Sequence, residues 1–210
     1  MTLFDHVKFI LSKPPRGQIK FIVTTDIDGI LSKRFYGKSL VGNFLQGIYG
    51  YFNGNDTADF AASGSPWNSV NLTKTTTAGT QAFYGSTSAL ISANVGAVDR
   101  GLILGSGSTA VAAADYVIET LIANGTGSGQ LSYQSQTAPQ GCEIVSLTTS
   151  FILERLFVNN SAGNVSVNEI ALYVKLSSVS TMIYRDVLSS ADVIPSGSTY
   201  RVTLEISITS

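Results

Sequence analysis

Few residues of this chain invite a chemical reading. Gly105-Ser-Gly-Ser-Thr109 has the glycine and hydroxyl content of a phosphate-binding loop. A P-loop, however, ends in Lys followed by Ser or Thr and lies between a strand and a helix, so that backbone amides and an ammonium share the phosphate charge. No Lys occurs in this stretch, and the dinucleotide fingerprint fails because position 110 is Ala. Asp26-Ile-Asp28-Gly29 opens like a calcium loop, but the twelfth position, where a bidentate Glu should complete the coordination, is Gly37. Paired carboxylates could hydrolyse glycans. Asp56 with Asp59 and Asp186 with Asp192 are the pairs on offer, and solubility of loops accounts for them equally well. The expectation is no catalytic residues, no metal site and no cofactor.

Residue counts narrow the chemistry further. His6 and Cys142 are the only His and Cys, so one chain cannot build a zinc site of the common His/Cys kinds or a disulfide. A nucleophile–His–acid arrangement would have to recruit His6, near the start of the chain. With 13 Lys+Arg against 14 Asp+Glu the net charge is −1, which supplies no field for neutralising phosphates and argues against nucleic-acid binding. No apolar run is long enough for a membrane-spanning helix. The opening residues Met1 to Lys8 carry charged and titratable side chains where the apolar stretch of a secretory signal would begin, so synthesis in a host cytoplasm without a signal peptide is expected. Cys142 reads as a small strand residue.

The elements that would position these residues are mostly strands. Charged residues make up 13% of the chain, while 27 Ser, 20 Thr and 20 Gly against 5 Glu disfavour helices and suit strands and turns. Residues 18–26 and 30–36 alternate around Asp28-Gly29, a two-residue hairpin signal. Leu40, Val41, Phe44, Leu45, Ile48 and Phe52 recur at helical spacing, predicting a helix that starts at Ser39. A strand is predicted at 98–105. A short helical turn capped by Asp115 should place Val117, Ile118, Leu121 and Ile122 on one face. Val145, Leu147, Phe151, Leu153 and Phe157 fall on odd positions of one long strand. In the next segment Val165 and Val167 are odd but Ile170, Leu172 and Val174 even, so Asn168-Glu169 reads as a bulge or bend. Tyr200, Val202, Leu204, Ile206 and Ile208 alternate with polar residues in a half-buried antiparallel strand. The sum is an all-β fold, an antiparallel β-sandwich with jelly-roll-like connections and one or two short helices. Residues 1–17 form an N-terminal arm, cut off by Pro14-Pro15 and Gly17. Residues 18–210 form a single sandwich domain with an irregular excursion around 53–94; a mixed α+β fold is the alternative.

Gly101-Leu-Ile-Leu-Gly-Ser-Gly-Ser-Thr109, the run 114–122, Asn124-Gly-Thr-Gly-Ser-Gly-Gln-Leu131 and Val167-Asn-Glu-Ile-Ala-Leu-Tyr173 resemble a family of tailed-phage virion structural proteins. The resemblance continues through Met182-Ile-Tyr-Arg-Asp-Val-Leu188 and the stretch from Ile194 to Ile208, and includes 39–45. It implies a structural β-domain of a phage particle with no catalytic residues to carry over.

The expected function is therefore a non-enzymatic structural protein located in the virion, present in repeated copies. A tail, baseplate-fibre or neck position is favoured over capsid decoration. Partners would be further copies of the chain, a trimer by analogy with phage β-proteins, and other virion proteins. A host surface glycan is a further partner under the alternative reading as a receptor-recognition protein, and a polysaccharide depolymerase is a third reading. The apolar arm supplies interface anchors Phe4, Phe9 and Leu11, because such side chains gain little in a free tail. Trp67, Phe83 and Tyr84 are interface or ligand residues by their aromatic faces amid Gly, Ser and Asn. Glu169 and Arg185, charged residues in otherwise apolar strands, are expected to form a structural pair that fixes register, with ligand binding as the alternative.

Overall fold

A computed structural model of the chain describes residues 19–37, 39–41, 91–137, 139, 142–176 and 179–209. Nine strands are present: β1 (Ile19–Ile27), β2 (Ile30–Gly37), β3 (Gly101–Gly105), β4 (Ser132–Tyr133), β5 (Glu143–Val145), β6 (Thr148–Val158), β7 (Val165–Leu176), β8 (Val179–Ile194) and β9 (Thr199–Thr209). The larger sheet has the order β2-β1-β9-β6-β4, with β5 also paired to β6; the smaller has the order β3-β7-β8. All pairings between these strands are antiparallel, and no helix occurs among the described residues. The fold is an all-β sandwich.

Local chemistry explains the best-defined elements. The β1–β2 turn is made by Asp28 (φ 51°) and Gly29 (φ 80°), the two positive φ angles that suit the right-handed twist of a hairpin. Asp26 Oδ1 accepts the Gly29 amide at 3.1 Å and Asp28 Oδ1 accepts the Thr199 amide at 2.7 Å, so both carboxylates of the calcium-like motif serve the turn and its neighbour β9. The Thr199 amide, with the Ser198 side chain adding a smaller share, holds Asp28 below the usual carboxylate range. Strand β9 lies between β1 and β6, and its Tyr200, Val202 and Leu204 are fully buried. The two sheets meet where Phe21 of β1 stacks on Tyr184 of β8, 5.2 Å between ring centroids, and where Tyr133, Leu153 and Phe157 face Leu102, Leu104 and Leu172 in one core.

Four expectations need correction. The chain is not helical at Ser39: Leu40 makes an antiparallel bridge to Tyr184, and the Arg185 amide donates to the Ser39 carbonyl at 3.3 Å, so the open edge of β8 captures this stretch. The remainder of that predicted helix lies outside the described residues. No helical turn follows Asp115; Ile118 and Ile122 are buried while Val117 and Leu121 are exposed, for a reason given below. The single strand expected from Val145 to Phe157 is a hairpin, β5–β6, turning at Ser146 (φ 55°) and Leu147, and Val145 and Leu147 are exposed. Ile208, at the end of β9, is 44% exposed, not buried. The arm with Phe4, Phe9 and Leu11, and the part of the excursion holding Trp67, Phe83 and Tyr84, lie outside the described residues.

The β9 pattern yields a direct test. Leu204→Ala removes a fully buried side chain and should cost about 3 kcal/mol, within the range for such cavities. Ile208→Ala, at the exposed end of the same face, should cost about 0.5 kcal/mol. Urea unfolding of both variants, with unchanged denaturant slopes, checks the contrast.

Candidate functional site

The polar chemistry of the sandwich is concentrated in three buried clusters, and the first begins at the phase change in β7. Val167 pairs with Asp192 and Glu169 with Val187, so the single residue Asn168 faces residues 188–191 of β8 and the pairing shifts register there. The irregularity expected at Asn168-Glu169 is present, and the extra residues are on the partner strand. Asn168 itself reaches the Ser106 carbonyl through Nδ2 at 2.9 Å. Beyond this shift Ile170, Leu172 and Val174 belong to the core, while Glu169 is itself completely buried.

Glu169 is satisfied by four donors. Its Oε1 accepts the Gly107 amide at 3.0 Å and the Thr120 amide at 2.9 Å; its Oε2 accepts the Glu119 amide at 3.2 Å and Arg185 Nε at 2.8 Å. A carboxylate offers about four lone-pair sites, so little capacity remains for a ligand. Residues 105–109, which look like a phosphate loop in sequence, therefore wrap an anion belonging to the chain itself. The glycines are required by this close approach. A Cβ on Gly107 would lie 2.5 Å from Glu169 Oε1 and equally close to Glu119, and one on Gly105 would lie 2.7 Å from the Thr120 carbonyl.

The same carboxylate explains the missing helical turn. Amides of residues 119 and 120 donate to Glu169, and that of Ile118 donates to Tyr173 Oη at 2.7 Å, so donors that a helix would use internally are spent on β7 side chains. The stretch instead runs beside β3, with a bridge between Gly105 and Leu121. Arg185 completes the cluster: Nη1 donates to Asp115 Oδ2 at 2.7 Å, and Nη2 to the Thr109 carbonyl at 3.2 Å and to Glu119 Oε2 at 3.4 Å. Burial opposes its charge, but the hydrogen bonds and charges of Glu169 and Asp115 prevail and leave its pKa above the ordinary arginine value. Glu119, bonded by the hydroxyl and amide of Thr109, is held below the usual carboxylate range. The structure thus brings Glu169 and Arg185 together, with Asp115 and Glu119 joined to them.

Arg155 forms the second cluster, which sequence reasoning missed. It sits on β6 among the inward positions Phe151, Leu153 and Phe157 and is 1% exposed. Its Nε donates to the Gln134 carbonyl at 2.8 Å, Nη1 to those of Leu102 (2.9 Å) and Arg100 (3.3 Å), and Nη2 to those of Ala97 (2.8 Å) and Asn94 (3.3 Å). The guanidinium also lies 4.9 Å from the centroid of Tyr133. Burial lowers its pKa to about 10, with the charges of Tyr133 and Asp99 acting in the other direction. It remains a cation at neutral pH. An arginine on the inward phase of an alternating strand was the available signal.

Asp192 forms the third cluster, joining the two sheets. From β8 it accepts Thr25 Oγ1 at 2.9 Å, Ser32 Oγ at 2.6 Å and Tyr200 Oη at 2.8 Å, and it pairs with Lys33. Burial raises its pKa, but Lys33, Ser32, Tyr200 and Thr25 together bring it below the usual value. Asp186 and Asp192 are therefore buried strand residues, not solubilising loop acids; Asp186 accepts Tyr184 Oη at 3.2 Å and the Val187 amide at 3.0 Å. Asp56 and Asp59 lie outside the described residues.

Chemically, the arrangement orders backbone and does not expose a reactive group. Among the described residues no group of three or more His, Cys, Asp or Glu could hold a metal ion, and Cys142 is exposed. No protein-family model, curated protein or solved structure matches the chain.

Two outcomes follow from these clusters. Glu169→Gln removes the charge facing Arg185 and should destabilise the fold by about 3 kcal/mol in chemical denaturation, since one partner of a buried pair is left behind. For Asp192, the folded-state pKa lies below the ordinary 3.8, so its stabilisation is complete above that value and is lost as pH falls through the folded pKa. The stability gap between the wild type and Asp192→Asn should be widest near neutrality and close below about pH 4. Unfolding titrations from pH 7 to pH 2 read this directly.

Proposed function

We propose that the chain is a non-enzymatic structural protein of a tailed-phage particle, present in repeated copies at a tail, baseplate-fibre or neck position. The observation that carries this reading is the saturation of the Glu169 carboxylate by Gly107, Glu119, Thr120 and Arg185. The motif best suited to bind a phosphate is used to clamp loop 106–120 onto β7. Arg155 and Asp192 serve the same end, holding carbonyls and joining sheets. Such groups supply shape, which is what a particle component contributes.

The sequence resemblance to virion β-domains supplies the location, and the neutral, hydroxyl-rich composition suits contacts between copies because few charges must lose their water. Further copies of the chain, as a trimer, and other virion proteins are the partners.

Quantitative mass spectrometry of purified particles tests this reading. A few to some tens of copies per particle are expected; hundreds would move the protein to the head shell, and absence would overturn the proposal. Incubation with host surface polysaccharide should leave polymer length unchanged. Shortening would establish a depolymerase, and binding without shortening a receptor-recognition protein.

A further inference from the structure

The inner face of the larger sheet is not covered along its whole length. Residues directly opposite one another in antiparallel strands share a face. By the pairing registers, Ile19 (β1), Ile208 (β9), Thr149 (β6) and Ile144 (β5) form one row across four strands, on the same face as the buried Val23, Leu204 and Leu153. One step inward, Phe21 is covered by Tyr184, and Ile206 and Phe151 pack against the core. The end row has lost that cover: Ile19 and Ile208 are 44% exposed and Ile144 is 73% exposed. Strand β5 is three residues long, and its pairing among the described residues is with β6 alone.

We propose that this row seats the N-terminal arm of a second copy of the chain. The eighteen residues that precede the described part join it at Ile19, itself a member of the row. They carry Leu3, Phe4, Val7, Phe9, Ile10 and Leu11, an apolar complement to an uncovered apolar row. Pro14-Pro15 bears on which copy supplies them. Consecutive prolines favour a stiff, extended chain and bias the preceding Lys13 away from helical geometry, which disfavours the tight reversal needed to lay the arm back on its own sandwich and favours a neighbouring copy as its seat. The prolines also lack amides and so cannot donate to a sheet ladder. On the acceptor, Ile19, Ile208 and Ile144 would receive the side chains of Phe4, Phe9 and Leu11. The inference rests on the proposed multicopy role for its biological sense, but its test does not.

The native Cys142 makes the test simple, because it is exposed and two residues from Ile144. Purified full-length Phe9→Cys, oxidised at dilute concentration and run without reductant, should give covalently linked multimers of the 22.2 kDa chain. The same variant carrying Cys142→Ser should give none, and neither should the wild type. A cross-link confined to one chain would overturn the proposal in favour of an arm folded on its own sandwich. Wild-type dimers through Cys142 would overturn it in favour of patch-to-patch contact. Ile144→Asp gives an independent reading at a position already open to solvent: the circular dichroism spectrum should be retained while light scattering falls to the mass of one chain. An unchanged oligomer mass in this variant, or a strictly monomeric wild type, would overturn the proposal. A protein that exchanges arms yet is missing from particles would refute the virion reading and leave the arm seat standing.

Discussion

The structure depends on what is done with one buried negative charge. Glu169 has no access to water, and an isolated carboxylate in such a place would cost several kcal/mol or take up a proton. Three amides and a guanidinium offset that cost. Meeting that demand dictates a good deal else. Positions 105 and 107 must be Gly for the backbone to come close enough, and the 118–120 segment must give up helical hydrogen bonding to aim its amides. Arg185 must be on β8 opposite Ala171, two pairs along from Glu169 and so on the same face, and the β7–β8 register must shift at Asn168 to leave it there. Asp115, Glu119 and the Thr109 carbonyl then accept from the remaining guanidinium nitrogens.

Two further buried charges divide the remaining work by sign. Arg155, with donors only, collects carbonyls where the chain enters β3 and leaves β4, neither of which has a long ladder to satisfy it. Asp192, with acceptors only, collects hydroxyls and an ammonium from β1, β2 and β9. Neutral hydrogen bonds contribute about 1 kcal/mol each and bonds to charged groups about 2 kcal/mol, so one ion with four or five partners outweighs the short ladders around it. The loops 94–100 and 106–120 are each bonded to one of these buried ions.

Much of this arrangement was legible in the sequence, and the misses share a cause. Alternation in residues 199–209 located β9, Asp28-Gly29 located the first hairpin, and the parity change at Asn168-Glu169 located the β7 irregularity, because each depends on neighbours along the chain. The segment after Asp115 was misread as helical because its amides are claimed by Glu169 and Tyr173, some fifty residues away, and spacing carries no trace of that. Val145 and Leu147 share parity with Leu153 but are separated from it by a turn whose positive φ falls on Ser146, not on a glycine. Arg155 leaves a sign in the sequence: a guanidinium in phase with Leu153 and Phe157 marks a buried cation.

The scarcity of charge in this chain takes on meaning once its placement is known. Of 27 charged residues, 13 basic plus 14 acidic, Lys20, Arg155, Glu169, Arg185, Asp186 and Asp192 are buried. A composition already low in charge thus places part of its supply inside, where it bonds backbone and side chains, and leaves fewer ions for the surface. That allocation is costly for a monomer, whose solubility gains from surface charge. It is favourable for a protein that packs against copies of itself, since burying hydroxyl-bearing surface requires far less dehydration than burying ions. The same charge economy therefore stiffens the sandwich from within and lowers the cost of contact from without.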